Sequence, residues 1–273
     1  MEGRVIARIQ LRVESCRTRA SEVFRDIDEH NKSVAIDSLI VDSTPKPSFF
    51  FLVIMSVLMA SFGLLLNNSS VIIGSMLIAP ILSPILSIGL GITLGDNNLL
   101  KRSGYTIIKS LVYSITLSAI TTWLLWGVIG GNELKGSLNP EILSRIEPNI
   151  VYLFIAIVAG LATAYARVKP ELNEALPGTA IAVALVPPIA TIGIGIAFLD
   201  LDIVSGALSL FVLNAIGIIV AAMFMFSLMN IYSKKNVVKT SIAKVDKQEE
   251  ELNLKAAAEQ ARIEDEEMKK ENT

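Results

Sequence analysis

Residues 74–96 read GSMLIAPILSPILSIGLGITLGD, an apolar run as long as a membrane crossing but interrupted by two prolines and four glycines. Moved along by 104 positions without a gap, the stretch lies over residues 178–200, GTAIAVALVPPIATIGIGIAFLD. Inside it PILSIGLGITLGD faces PIATIGIGIAFLD, with seven of thirteen positions identical: Pro84/Pro188, Ile85/Ile189, Ile88/Ile192, Gly89/Gly193, Gly91/Gly195, Ile92/Ile196 and Asp96/Asp200. Apolar composition alone supplies chance matches of isoleucine, but not the matched Pro, Gly-x-Gly and Asp. The chain therefore reads as an internal duplication. Paired Pro/Gly-interrupted apolar segments in corresponding halves are the best sequence pointer to a transport site.

Working outward, the 273 residues are 52% hydrophobic with a mean hydropathy of +0.57, and the charges gather at the two ends. Several apolar runs exceed the roughly 18 residues that favour a membrane helix over a core helix. The opening MEGRVIARIQLRVES lacks the apolar region of a secretory signal, so the first membrane helix is expected to target the chain. A single cysteine, Cys16, excludes a disulfide framework and a Cys-based metal cluster, and the single histidine, His30, precedes the first apolar run. No phosphate-cradling Gly-rich loop with a following Lys is present. The expectation is a protein that is not an enzyme, with no catalytic residue, no metal, no cofactor and no nucleic-acid partner.

The flanks of the duplicated stretch divide the chain. Residues 1–48 hold eight Lys/Arg and eight Asp/Glu and read as a soluble N-terminal arm. Membrane repeat 1 (49–129) contains a span over 48–66, the interrupted segment over 71–94 and a third span over 105–129. An external loop (130–149) precedes membrane repeat 2 (150–229), with spans over 150–166, 177–199 and 203–229. Residues 230–273 form a charged helical or disordered cytoplasmic tail. Lys101/Arg102, Arg167/Lys169 and Lys234/Lys235/Lys239 flank alternate crossings, which puts both termini in the cytoplasm by the positive-inside rule. Three crossings per repeat is odd, so the second copy enters from the opposite side. The fold class expected is an all-α membrane protein with six transmembrane segments, arranged as two inverted three-helix repeats with Pro/Gly-broken middle helices. Re-entrant middle segments would instead make the repeats parallel.

The breaks carry the expected chemistry. A proline inside a helix removes a donor and clashes with the carbonyl four residues earlier, so Pro80 and Pro84 would free the carbonyls of Met76 and Pro80, and Pro187 and Pro188 those of Val183 and Ala184. Such backbone is tolerated in a bilayer only where protein or a wet cavity covers it. Freed carbonyls can hold a cation, and the amide-rich start of the next half-helix can face an anion. The candidate pathway residues are Pro80, Pro84, Pro187 and Pro188, the nearby hydroxyls Ser75, Ser83, Ser87, Thr179 and Thr191, and Asn214, the most committed polar group of the last span. Each proline or glycine also has a packing reading, as a kink or a close helix approach. Asp96 and Asp200 each precede a helix and read as N-caps rather than a catalytic dyad. Lys109 can snorkel from its span to the interface.

At Gly74-Ser75-Met76-Leu77-Ile78-Ala79-Pro80, with Ala184-Leu185-Val186-Pro187-Pro188 further on, the chain resembles an uncharacterised hydrophobic-domain family of prokaryotic integral membrane proteins, a domain of unknown function. The resemblance covers residues 49–229 and implies a multi-pass plasma-membrane protein of a prokaryote, without supplying a substrate. The function expected from the residues is a transporter or channel for a small ion or polar solute, in contact with the lipid bilayer and assembled as a homo-oligomer, its site formed by the broken helices near the midplane. The alternative is a membrane scaffold or sensor that presents its cytoplasmic termini to a partner.

Overall fold

The computed structural model describes residues 29–129, 139–169, 171–172, 184–231, 238, 240–248 and 250–252, and among them regular structure is helical throughout. Helix α1 spans Glu29–Asp42, α2 Pro47–Leu65, α3 Ser69–Ile78, α4 Leu82–Leu94, α5 Asn97–Ile129, α6 Pro140–Leu143, α7 Ile150–Val168, α8 Val186–Phe198 and α9 Leu201–Leu228. Helices α2, α7 and α9, and α5 over Asn97–Trp126, are long and apolar enough to cross a membrane. The α3–α4 pair passes the same test if counted as one span bent by 51°. These helices mark the chain as membrane-embedded. A sixth crossing would need α8, which is too short alone, together with residues 173–183, which lie outside the described residues.

Local sequence explains the boundaries. Pro47 opens α2, where a missing N–H costs nothing. Asn68 caps α3, its side chain accepting from the amides of Ser70 and Val71 at 3.1 and 3.2 Å. Helix α3 stops at Ile78 because Ala79, forced out of the helical region by Pro80, is extended (φ −73°, ψ 122°). Helix α5 starts eight residues before the Tyr105 expected from hydropathy, so the apparent polar loop is its first turns. The cause is the Asp96 cap, which accepts from Asn98 N and Leu99 N, both at 3.0 Å. Lys101 is then carried on an exposed face.

The duplication recurs in the contacts. Helices α4 and α8 have bounds 104 residues apart, and each ends in a left-handed residue, Gly95 (φ 61°) and Leu199 (φ 57°). Their last carbonyls are closed alike: Asp96 N donates to Gly91 O at 3.0 Å and Asp200 N to Gly195 O at 2.9 Å. Asp200 caps α9 as Asp96 caps α5, accepting from Asp202 N and Ile203 N. Both aspartates are thus the helix caps expected of them. Leucine in the left-handed region costs roughly 1–2 kcal/mol. Since Leu199 is 89% exposed and packs little, Leu199→Gly is expected to raise stability by about 1 kcal/mol, read as a higher unfolding temperature in detergent. An unchanged or lower value would remove the strain argument.

Each middle helix packs on the last helix of the other half, α4 on α9 and α8 on α5. The positions correspond residue by residue. A Cβ built on Gly89 would stand 2.7 Å from Ala222 Cβ and 3.1 Å from Ile219 O, and one on Gly193 would stand 2.5 Å from Ser118 Cβ and 2.7 Å from Ile115 O. Along α5, Gly91 packs near Leu100 and Gly193 near Ser118, eighteen residues apart, or roughly 27 Å at 1.5 Å per residue. The core-facing stripe of α5 is hydroxylic: Ser103, Thr106, Ser110, Ser114, Ser118 and Thr122 are all buried. The stripe at the same offset on α9, Ala207, Leu210, Asn214, Ile218, Ala222 and Phe226, is equally buried and apolar except for Asn214.

Candidate functional site

The first break is built from both flanks of α2. Helix α1 packs on α4 and α7 and buries Ile36, Leu39 and Ile40. The carbonyls of its last turn take donors from beyond the helix, Ser43 N on Leu39 O at 3.0 Å and Thr44 N on Val41 O at 3.3 Å, and hydroxyls add to these. Ser87 Oγ donates to Leu39 O at 3.1 Å, and Thr44 Oγ1 and Ser43 Oγ donate to Ile40 O at 2.8 and 3.1 Å. Thr106 Oγ1 donates to Ser43 O at 2.9 Å, which fixes the turn into α2. The α1 end is thereby held against the α3–α4 bend.

A cavity of about 360 Å³ lies there, lined by Val41, Asp42, Thr44, Lys46, Ser48, Phe49, Leu52, Pro80, Ser83 and Arg167. Arg167, at the end of α7, donates from Nη1 to Asp42 Oδ2 at 3.0 Å and from Nη2 to Ser83 Oγ at 2.6 Å. Its Nε is buried without a hydrogen-bond partner. No side chain caps the start of α4. Its second residue, Ser83, lines the cavity, so the positive end of the half-helix dipole lies beside it.

The prolines act differently from the expectation. Pro84 is the third residue of α4, and Pro187 and Pro188 are the second and third of α8. The N–H of those positions has no intrahelical acceptor in any helix. They therefore start the half-helices with a preset φ instead of freeing the carbonyls of Pro80 and Ala184 from a continuous helix. Val183 lies outside the described residues.

Of the candidate pathway residues, Pro80 and Ser83 line the cavity and Ser87 reaches α1 behind it. Ser75 is buried, donating to Ile72 O at 2.6 Å while its own carbonyl accepts from Ser56 Oγ at 2.7 Å. Pro84, Pro187, Pro188, Thr191 and Asn214 are buried away from the cavity lining, with Thr191 Oγ1 donating to Pro187 O at 2.9 Å. Thr179 lies outside the described residues. Near the second break a hydroxyl chain links three helices, Ser61 Oγ to Ser118 Oγ at 2.9 Å and Ser118 Oγ to Ala190 O at 2.7 Å.

Sequence reasoning missed Asp42, Lys46 and Arg167 as site residues. Arg167 is legible only as a loop charge that sets orientation. Its approach to Ser83 across 84 positions has no local signal. Lys109 sits among aromatic rings, its Nζ 4.9 Å from the Phe50 ring centre and 5.7 and 5.8 Å from those of Tyr105 and Tyr113. At the other end of α2, Asn139 Nδ2 donates to Leu64 O and Leu65 O at 3.2 and 3.0 Å. The Ser69 hydroxyl, and after it the Arg145 guanidinium at 2.7 Å, hold the Glu141 carboxyl below its ordinary pKa against the opposing effect of burial.

The fold defines a membrane-embedded α-helical protein with two matched helices, α4 and α8, that carry proline in their first turn. The model of the Domain of unknown function family (DUF389) matches residues 76–220, and the chain belongs to that family. It is similar to an uncharacterized protein of Methanocaldococcus jannaschii, 34% identical over 177 residues, 64% of this chain and 52% of that protein. The chain thus spans about half the length of this relative. No solved structure matches it.

Proposed function

We propose that the protein is a membrane transporter or channel for a small ion or polar solute, built from two inverted three-helix repeats. The observation that carries this reading is the cavity at the α3–α4 bend, where a helix break merely needed for packing would be filled. Inversion is supported by the contacts along α5: Gly91 near the end of α4 packs by Leu100 at its start, Gly193 in the middle of α8 packs roughly 27 Å further on, and Phe198, the last residue of α8, reaches Trp126 beyond that, so the two tips point to opposite ends of one spanning helix. Both termini in the cytoplasm, a prokaryotic plasma membrane and a homo-oligomer complete the proposal. The apolar residues on the outer faces of α5 and α7, such as Trp123, Phe154 and Val158, suit contact with lipid or a second copy.

The test is solute flux into proteoliposomes holding the purified chain, with monovalent cations, small anions and neutral solutes offered in turn. Flux of at least one class above empty vesicles is expected, and the Pro84→Ala/Pro188→Ala double variant is expected to change its rate. A panel with no flux from folded protein would favour the scaffold reading.

A further inference from the structure

We infer that the cavity at the α3–α4 bend is a binding site for a small oxyanion, a carboxylate or a phosphate group. This rests on the reading that the break faces a solute pathway, and it names the class of solute. Two cations, Arg167 and Lys46, line the cavity against one carboxylate, Asp42. Arg167 gives one hydrogen of Nη1 to Asp42 and one of Nη2 to Ser83, which leaves the second hydrogen of each nitrogen for a further acceptor on a side chain that is 21% exposed. A guanidinium offers five donors in a planar fork suited to two-oxygen acceptors. Lys46 makes no ion pair among the described residues and is partly exposed. The start of α4, which no side chain caps, brings a positive dipole end to the cavity at Ser83. Ser48 and Ser83 supply hydroxyls, while Val41, Phe49, Leu52 and Pro80 give apolar walls that strengthen each charged contact.

Asp42 has a definite part in this site. It is the last residue of α1, so the arm places its own carboxylate on the guanidinium that an oxyanion would use. The ligand and Asp42 compete, and weakening Asp42 should tighten binding.

The experiment titrates inorganic phosphate and, separately, acetate into the purified full chain in detergent, reading the shift in unfolding temperature, and repeats the unfolding in nanodiscs of phosphatidylcholine with and without phosphatidylglycerol. Protection by a free anion is expected. Loss of one charge-assisted contact in Lys46→Gln or Arg167→Gln should weaken it by about tenfold or more, and Asp42→Asn should strengthen it. Because Lys46→Gln breaks no ion pair among the described residues, it stays informative if Arg167→Gln fails to fold. Protection by phosphatidylglycerol alone, abolished by the same variants, supports the same oxyanion chemistry with a lipid headgroup as its source. No protection by any of these probes, or equal protection in wild type, Lys46→Gln and Asp42→Asn, overturns the inference. Flux of a neutral solute without anion binding leaves the transport reading standing and removes this one, whereas anion binding without flux does the reverse.

Discussion

Gly193→Ala is expected to destabilise the protein by about 1–3 kcal/mol, and Gly193→Leu to prevent folding. A Cβ at this position would meet Ser118 Cβ at 2.5 Å and the carbonyl oxygen of Ile115 at 2.7 Å, and the second of these is backbone that cannot turn aside. Gly89 faces the equivalent obstacle, Ala222 Cβ at 2.7 Å and Ile219 O at 3.1 Å, so Gly89→Ala should lose a similar amount. Gly104, inside α5, meets nothing within 4 Å. Gly104→Ala should therefore gain about 1 kcal/mol from helix propensity alone. The three variants, unfolded side by side in detergent and followed by tryptophan fluorescence, give opposite signs for one chemical change. Equal effects at all three would mean that the crossings of α4 with α9 and of α5 with α8 are wider than described.

The next largest effect is expected from the segment before the first membrane helix. Leu39→Ala should cost about 2–5 kcal/mol, because Leu39 is 1% exposed beside fully buried Ile36 and Ile40, and α1 seals part of α4. Val41, on the open side of the same helix at 39% exposure, should tolerate alanine within about 0.5 kcal/mol. A thermal unfolding series separates them, and an unchanged midpoint for Leu39→Ala would mean that α1 is not docked in solution. Docking matters for the site as well. The backbone of α1 is tied by Ser87, the residue after it by Thr106, and its last side chain holds Arg167.

These two cases also divide what the sequence states from what it hides. Gly89 and Gly193 are visible as a repeated Gly-x-Gly, because close backbone approach leaves a mark in residue type. So are the Asp96 and Asp200 caps, since capping is local chemistry between neighbours three residues apart. Helix α1 leaves no such mark. Its buried face, Ile36, Leu39 and Ile40, is interleaved with Lys32, Asp37 and Asp42, and it reads as a solvated helix unless the partner surface is known. The start of α5 was obscured by Lys101 and Arg102, which hydropathy reads as a loop although the Asp96 cap opens the helix before them. The prolines mark the break points in the sequence, yet their place in the first turn depends on where the preceding helix stops. Ser83, Lys46 and Arg167 come together from three separated segments, which only the packed chain assembles.

The two buried stripes at matching positions on α5 and α9 are the seams on which the middle helices rest. Six hydroxylic residues on one helix correspond to five apolar residues and Asn214 on the other, so the copies keep a common shape but not a common chemistry. Against α5, α8 is held by hydrogen bonding as well as by close approach, since Ser118 Oγ donates to Ala190 O beside Gly193. Against α9, α4 meets a methyl group at the equivalent point, Ala222 beside Gly89. A directional bond resists sliding along the seam more than apolar contact does, so the duplicated scaffold has one stiffer and one softer joint.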